Sequence, residues 1–261
     1  MFKICTPISH LFKDKKFGTY ALKYSNSLEA REHFEDLNKF FSKNIELFHF
    51  DIDLNLSWSE NIKKEIYIKI KSKKKLKLVT FQMGKNCNKA ILANGVFKCI
   101  SKNLSEKKML KNVKKNVIWL KGTFKKIKFG VENNNYLKSN AYKIITDPIF
   151  ISKVVNSSNI FFLLDIAHAQ ISSFYYKVSF ENYLSKLPMD KAIQIHLCRP
   201  IIGENFAFDK HYLPTDLDID RSINILNKFK KIKYLTVEYY RDKNKLINCL
   251  KKINSCQKRN V

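Results

Sequence analysis

The sequence predicts an α/β chain folded as a (β/α)8 TIM barrel, on three observations. Eight apolar runs rich in β-branched residues alternate with longer segments of helical character, the pattern of parallel strands joined by helical crossovers. Several runs, such as IFFLLDI (160–166) and AIQIHL (192–197), are hydrophobic throughout, as strands covered on both faces must be. No Pro/Gly/Ser-rich linker and no long repeat divides the 261 residues, a length that suits a single barrel domain over 1–261. An open doubly wound sheet is the alternative architecture.

Taken in order, strands are expected at Phe2–Ser9, Gly18–Tyr24, Asn44–Asp51, Leu76–Met83, Ile127–Glu132, Ile160–Ile166, Ala192–Leu197 and Lys233–Tyr239. The segment Leu11–Phe17 is too short for a full helix, so the first β–α connection is expected to be shortened. Ser27 is placed at the start of a helix over Leu28–Ser42, because a Ser oxygen can accept from the free amides of a first turn. Ser57 with Glu60 three residues on gives a capping-box pattern before Asn61–Ile70. Lys85–Leu104 reads as an irregular insertion, after which Ser105 opens a helix over Glu106–Lys121. Asp147-Pro148 sets an acceptor at the cap and a helical φ at the next residue, ahead of Ile149–Val155. Helices over Ser179–Leu187, Asp218–Lys230 and Asp242–Ile253 complete the set.

Composition narrows the function classes. With 45% hydrophobic and 13% aromatic residues, the chain can bury a core and is neither a disordered polycation nor collagen-like. Its net charge of +26 admits a nucleic-acid partner. All but five of its 49 basic residues are Lys, however, whereas readers of phosphates and base edges favour the planar fork of Arg. Abundant Lys, Asn, Ile and Phe are what an A/T-rich genome enriches, so nucleic acid is not the favoured partner. No run approaches the roughly 18 apolar residues of a membrane span, and the first residues lack the pattern of a secretory signal. Cys5, Cys87, Cys99, Cys198, Cys249 and Cys256 are scattered without a C-x-x-C pair, which fits reduced thiols in a cytoplasmic protein.

The informative residues lie at strand ends. His49, Gln82, Glu132, Asp165, His196 and Glu238 fall at or near the C-terminal ends of six expected strands, the end at which barrel loops build sites. His168 follows Asp165 by three positions, and FDKH places Asp209 and His211 after the seventh strand. Imidazoles and carboxylates suit iron, manganese and zinc. Four His and four carboxylates exceed one tetrahedral site; they would serve two or three metals with bridging carboxylates, or one metal with acid–base groups. Singly, each has a structural reading: Asp165 could cap a helix, Glu132 could satisfy loop amides, and Glu238 could face solvent beside Arg241. The joint pattern outweighs any member.

VENNN (131–135), FLLDIAHAQISS (162–173), NYLSKLPMDKAIQIHL (182–197), FDKHYLPTD (208–216) and LTVEYYRD (235–242) together resemble the multinuclear non-heme iron-dependent oxidases typified by the iron oxidase of methanobactin synthesis. The resemblance covers about the last half of the chain. It implies a xylose-isomerase-like barrel holding two or three iron ions, with zinc or manganese as alternatives. It also implies O2-dependent modification of Cys or another residue in a ribosomally made peptide, often with a partner protein that presents the peptide. Carried onto this sequence, the metal ligands would be Glu132, Asp165, His168, His196, Asp209, His211 and Glu238, with His168 at a place where many members have Asn. His49 resembles the His after the third strand of such barrels.

Gln82 stands where a second ligand His is expected. Gln is a poor ligand for iron or zinc, which points to two metals rather than three, altered chemistry or lost activity. Arg199 could hold a substrate carboxylate or backbone carbonyl, or form a surface salt bridge; Cys198 reads as a buried structural thiol. The same D-x-x-H, D-x-H and terminal Glu look similar to endonuclease IV, which would imply zinc and cleavage of abasic DNA. A barrel that binds a peptide without catalysis is the third class.

Overall fold

The structure is a computed structural model and describes residues 2–259. Eight parallel strands close a barrel: β1 (Lys3–Pro7), β2 (Ser27–Arg31), β3 (Ile45–Asp53), β4 (Leu78–Gln82), β7 (Lys128–Glu132), β8 (Phe161–Asp165), β9 (Ala192–Leu197) and β12 (Tyr234–Val237), with β12 pairing back onto β1. Two hairpins lie outside the wall, β5 (Ala90–Ala93) with β6 (Val96–Cys99), and β10 (Arg199–Ile202) with β11 (Ala207–Tyr212). The helices are α1 (Lys15–Ala21), α2 (Glu35–Phe40), α3 (Glu60–Lys71), α4 (Glu106–Thr123), α5 (Pro148–Ser158), α6 (Ile166–Tyr176), α7 (Phe180–Ser185), α8 (Asp216–Lys228) and α9 (Lys243–Arg259). Among the described residues no helix is long and apolar enough to cross a membrane.

Local chemistry accounts for most of the helix starts. Ser59, rather than Ser57, caps α3 through Ile62 N; Ser105 caps α4 through Lys108 N. Asp147 caps α5 with Pro148 at its first position. Thr215 and Asp218 form a reciprocal capping box on α8, satisfying two otherwise free donors.

The second strand departs from expectation. Gly18–Tyr24 is expected as a strand, but this segment belongs mainly to α1, capped by Asp14 through Phe17 N. Gly18 lets α1 approach Phe41 and Phe12, whose rings would overlap any Cβ there. The strand is instead Ser27–Arg31, the segment expected to open a helix. Its side chains alternate between two faces: Leu28 and Ala30 enter the hydrophobic core, while Glu29 and Arg31 project from the other face. The Ser27 hydroxyl bonds Asn44 O instead of capping a helix. The first β–α connection is therefore not shortened; it holds a 3-10 turn over His10–Lys13 and then α1.

The insertion over Lys85–Leu104 is a hairpin. Asn94 and Gly95 both have positive φ (52° and 75°), the two-residue turn that matches strand twist. Cys87 and Cys99 are joined by a disulfide at its base, which corrects the expectation of six reduced thiols. Cys5, Cys198 and Cys249 are free thiols.

The barrel interior is layered. Cys5, Leu47, Leu78, Ile193 and Tyr234 pack an apolar floor toward the N-terminal ends of the strands. Above them the buried residues turn polar, with Glu29, His49, Thr80, Glu132, Gln194, His196 and Thr236. That polar layer opens onto the C-terminal mouth.

Candidate metal centre

Three of the four imidazoles are anchored by one nitrogen and present the other. On β3, His49 Nδ1 lies 2.9 Å from Thr80 Oγ1, leaving Nε2 3.5 Å from Glu132 Oε2. On α6, His168 Nδ1 is 2.9 Å from the carbonyl of Asn133. A carbonyl can only accept, so Nδ1 carries the proton and Nε2 faces Asp209 Oδ2 at 3.4 Å. On β9, His196 Nε2 lies 3.0 Å from Glu29 Oε2, and Nδ1 lies 2.9 Å from Glu132 Oε1 and 3.4 Å from Glu238 Oε1. His211 sits between Asp209 (3.3 Å) and Glu238 (3.4 Å), on a left-handed backbone with φ of 45°. An outer carboxylate or carbonyl that fixes the ring is the usual support of a metal-binding imidazole.

Asp165 is built in by a pair of bonds. Its amide donates to Asn133 Oδ1 (2.8 Å), and its carbonyl accepts from Asn133 Nδ2 (2.9 Å). Its Oδ1 caps α6 through His168 N. Its Oδ2 is buried without a hydrogen-bond partner, as is His49 Nε2. Buried lone pairs left unsatisfied by protein are costly, and a bound cation would relieve that cost. The donor set is therefore fit to hold metal. Glu132–Asp165–His168, Asp165–Cys198–Glu238 and Cys198–Asp209–His211 each bring ligand atoms within 4.8 Å of one another.

Charge within the cluster is strongly redistributed. Burial pushes Asp165 up to about 7, aided by Glu132, Glu238 and Asp209 and opposed by His168. Burial also pushes Glu29 up, but Arg31 and His196 outweigh it and draw Glu29 down to about 2. Burial would lower His168 and His196, yet the carboxylates around them raise both well above the usual imidazole value. For His49 burial prevails and lowers the value, which favours a neutral ring.

The eight residues singled out as ligands, His49, Glu132, Asp165, His168, His196, Asp209, His211 and Glu238, thus converge on one mouth of the barrel. Gln82 does not join them. Its amide points to Asp51 Oδ1 at 3.4 Å, and Thr80 is the β4 residue whose hydroxyl meets His49. Arg199 is exposed, with its guanidinium 5.9 Å from the Tyr212 ring, and makes no ion pair or hydrogen bond with the cluster. Glu29, Arg31, Gln194 and Thr80 escape the sequence reading, and Cys198, read there as a structural thiol, belongs to two of the ligand groups. The alternation of SLEAR (27–31) is the available signal for the first two.

The opposite mouth also holds a cavity, of about 600 Å3. Lys3, Lys77, Lys126, Lys128, Lys230 and Lys233 surround it, and Glu46 neutralises two of them. It offers no His, Cys or paired carboxylates and lies across the apolar floor from the cluster.

Residues 104–232 match the model of a family described as RiPP precursor modification enzyme MbnB/TglH/ChrH. That span holds Glu132, Asp165, His168, His196, Asp209 and His211, while Glu29, Arg31, His49 and Glu238 lie outside it. No curated protein sequence matches significantly. Among solved structures, the chain is similar to apo 3-keto-D-glucoside 4-epimerase YcjR of E. coli, with TM-score 0.66 and 13% identity over 98% of this chain and 100% of that one. It is similar to a xylose isomerase domain containing protein of Salmonella typhimurium, with TM-score 0.63 and 10% identity over 97% and 96%. It is also similar to endonuclease IV from Thermus thermophilus, with TM-score 0.62 and 10% identity over 98% and 99%. At these identities the likeness concerns the fold, a xylose-isomerase-like TIM barrel.

Proposed function

We propose that the chain is a metal-dependent oxidase that modifies a residue, often Cys, of a ribosomally made peptide. The family match supports the peptide-modifying class. The observation that carries the metal is the convergence of four imidazoles and four carboxylates at one mouth of the barrel, with His49, Glu132, Asp165, His168, His196 and Glu238 buried. Iron, two or three ions, is the metal of this reading, and when bound it would supply O2-dependent oxidation.

The chain's own residues do the positioning. His49 Nε2, His168 Nε2 and His196 Nδ1 are the ring nitrogens turned toward the carboxylates of the cluster, with Glu132 shared between the first and third. His196 would give up its Nδ1 proton on ligation while Glu29 holds the other nitrogen. In the metal-free chain Asp165, at about 7, holds a proton below neutrality, and it would ligate a metal as the carboxylate. Asp209, His211 and Glu238 close the solvent side. The β10–β11 hairpin that carries Asp209 and His211 also exposes Ile202, Phe206 and Phe208, an apolar rim suited to a peptide or to a partner protein that presents it. A cytoplasmic location and one domain over 1–261 belong to the same reading.

Metal content of protein purified without oxygen tests the proposal. Bound iron, with oxygen consumption on addition of a candidate precursor peptide, is the expected result. Zinc with cleavage of abasic DNA would replace this reading by a nuclease, and absence of bound metal would reject both. His196→Ala or Asp165→Ala should remove metal while far-ultraviolet circular dichroism stays that of a folded barrel.

A further inference from the structure

Glu29, His196 and Glu238 are buried and bring ligand atoms within 4.8 Å of one another, a geometry that can hold a cation. A protein cation already occupies it. Arg31 Nη2 lies 2.6 Å from Glu29 Oε1 and donates to Glu238 Oε1, so that a single guanidinium nitrogen bridges the two carboxylates. Glu29 and Arg31 are two residues apart on β2 and project from the same face, which is why strand geometry delivers both to this point.

The remaining oxygens are accounted for. Glu29 Oε2 accepts from Gln194 Nε2 and faces His196 Nε2, while buried Oε1 has no hydrogen bond and is met only by the Arg31 ion pair. Glu238 uses one oxygen for Arg31 and directs the other to His211 Nε2 at 3.4 Å. The Glu132–Asp165–His168 and Cys198–Asp209–His211 groups contain none of Glu29, Arg31 and Glu238, whereas Asp165–Cys198–Glu238 shares one residue with each of them and its Glu238 with Arg31. A guanidinium stays charged at any working pH, and without it the two buried carboxylates would keep only their imidazole, amide and hydroxyl partners. A divalent ion seated on the same oxygens would be repelled by the adjacent fixed charge.

We propose that Arg31 is a built-in cation that fills the Glu29–His196–Glu238 position and limits the centre to two metal ions. The inference rests on the metal-centre reading above and assigns the reduced stoichiometry to Arg31 rather than to Gln82.

Anaerobic equilibrium dialysis against saturating Fe(II), followed by plasma mass spectrometry, counts ions per folded chain. The expected counts are two for the natural chain, two for Arg31→Lys, which keeps the cation, and three for Arg31→Gln. Arg31→Gln combined with Glu29→Gln should return to two, because a vacated carboxylate is then missing. Three ions in the natural chain would overturn the proposal even if Arg31→Gln failed to fold, and so would an unchanged count in folded Arg31→Gln. Either outcome leaves the metal-centre reading standing. No metal in the natural chain or in any variant would overturn that reading, and this inference with it.

Discussion

His196 Nδ1 lies 2.9 Å from Glu132 Oε1 although 64 residues separate them in the chain. Their strands, β9 and β7, are not neighbours: β8 runs between them. The contact therefore crosses the barrel interior, and it places a carboxylate between two imidazoles, since Glu132 Oε2 also faces His49.

Glu132→Gln keeps the shape of that side chain and removes its charge from both imidazoles. Metal dissociation constants are expected to rise by at least about 10–100-fold, the effect usual even for outer partners of a metal. Isothermal titration with Co(II) under argon measures this. Affinity within twofold of the natural chain would remove Glu132 from the centre.

Thr80 and Gln82 should behave oppositely, because their side chains leave β4 in different surroundings. Thr80→Val removes the oxygen that holds His49 Nδ1 and should weaken metal binding about tenfold without unfolding the chain. Gln82→His should leave both the affinity and the number of ions unchanged, because the Gln82 amide points to Asp51. An additional ion in Gln82→His would show that β4 presents this position to the centre after all.

Asp165 makes the metal-free protein sensitive to pH. Its folded value is raised to about 7 from an ordinary 3.8, chiefly by burial, so between those values the folded chain binds a proton that the unfolded chain does not. Stability of the metal-free form should therefore fall as pH rises from about 4 to about 7. Asp165→Asn keeps an acceptor for the cap on His168 N and loses the charge. Its melting temperature should exceed that of the natural chain by a few degrees at pH 8 and converge with it at pH 4. With metal present the order should reverse at pH 8, because only the natural chain gains the binding energy. A gap between the two melting curves that ignores pH would contradict the assignment.

The Cys87–Cys99 disulfide closes a sequence separation of 12 residues around an external hairpin. Reduction should loosen that hairpin alone. Limited proteolysis is expected to speed up between residues 88 and 102, while metal affinity changes by less than twofold. Loss of metal on reduction would mean that the hairpin supports the centre.

Much of the fold is legible locally. Unbroken apolar runs mark β8 and β9 because both faces of those strands are covered, and Ser105, Asp147 and Asp165 sit at real helix starts because their oxygens meet free amides. Metal-type residues at strand ends are visible for a related reason, since parallel topology brings every such end to one mouth. The same local signals mislead at Ser27, a serine before a mixed segment that suits a helix cap as well as it suits a strand. Only pairing with β1 and β3 settles that choice and turns Glu29 and Arg31 inward. Direction is likewise beyond the sequence. Thr80 and Gln82 share a strand parity, yet a register shift between Phe50 and Asp53 sets Gln82 beside the outer end of β3 while Thr80 stays level with His49. Single segments suffice to establish a barrel with imidazoles and carboxylates at its C-terminal mouth, because strand periodicity and chain order are local properties. The pairing of Arg31 with Glu238 arises only in the folded chain, because a contact across 207 residues depends on closure of the sheet rather than on any one strand.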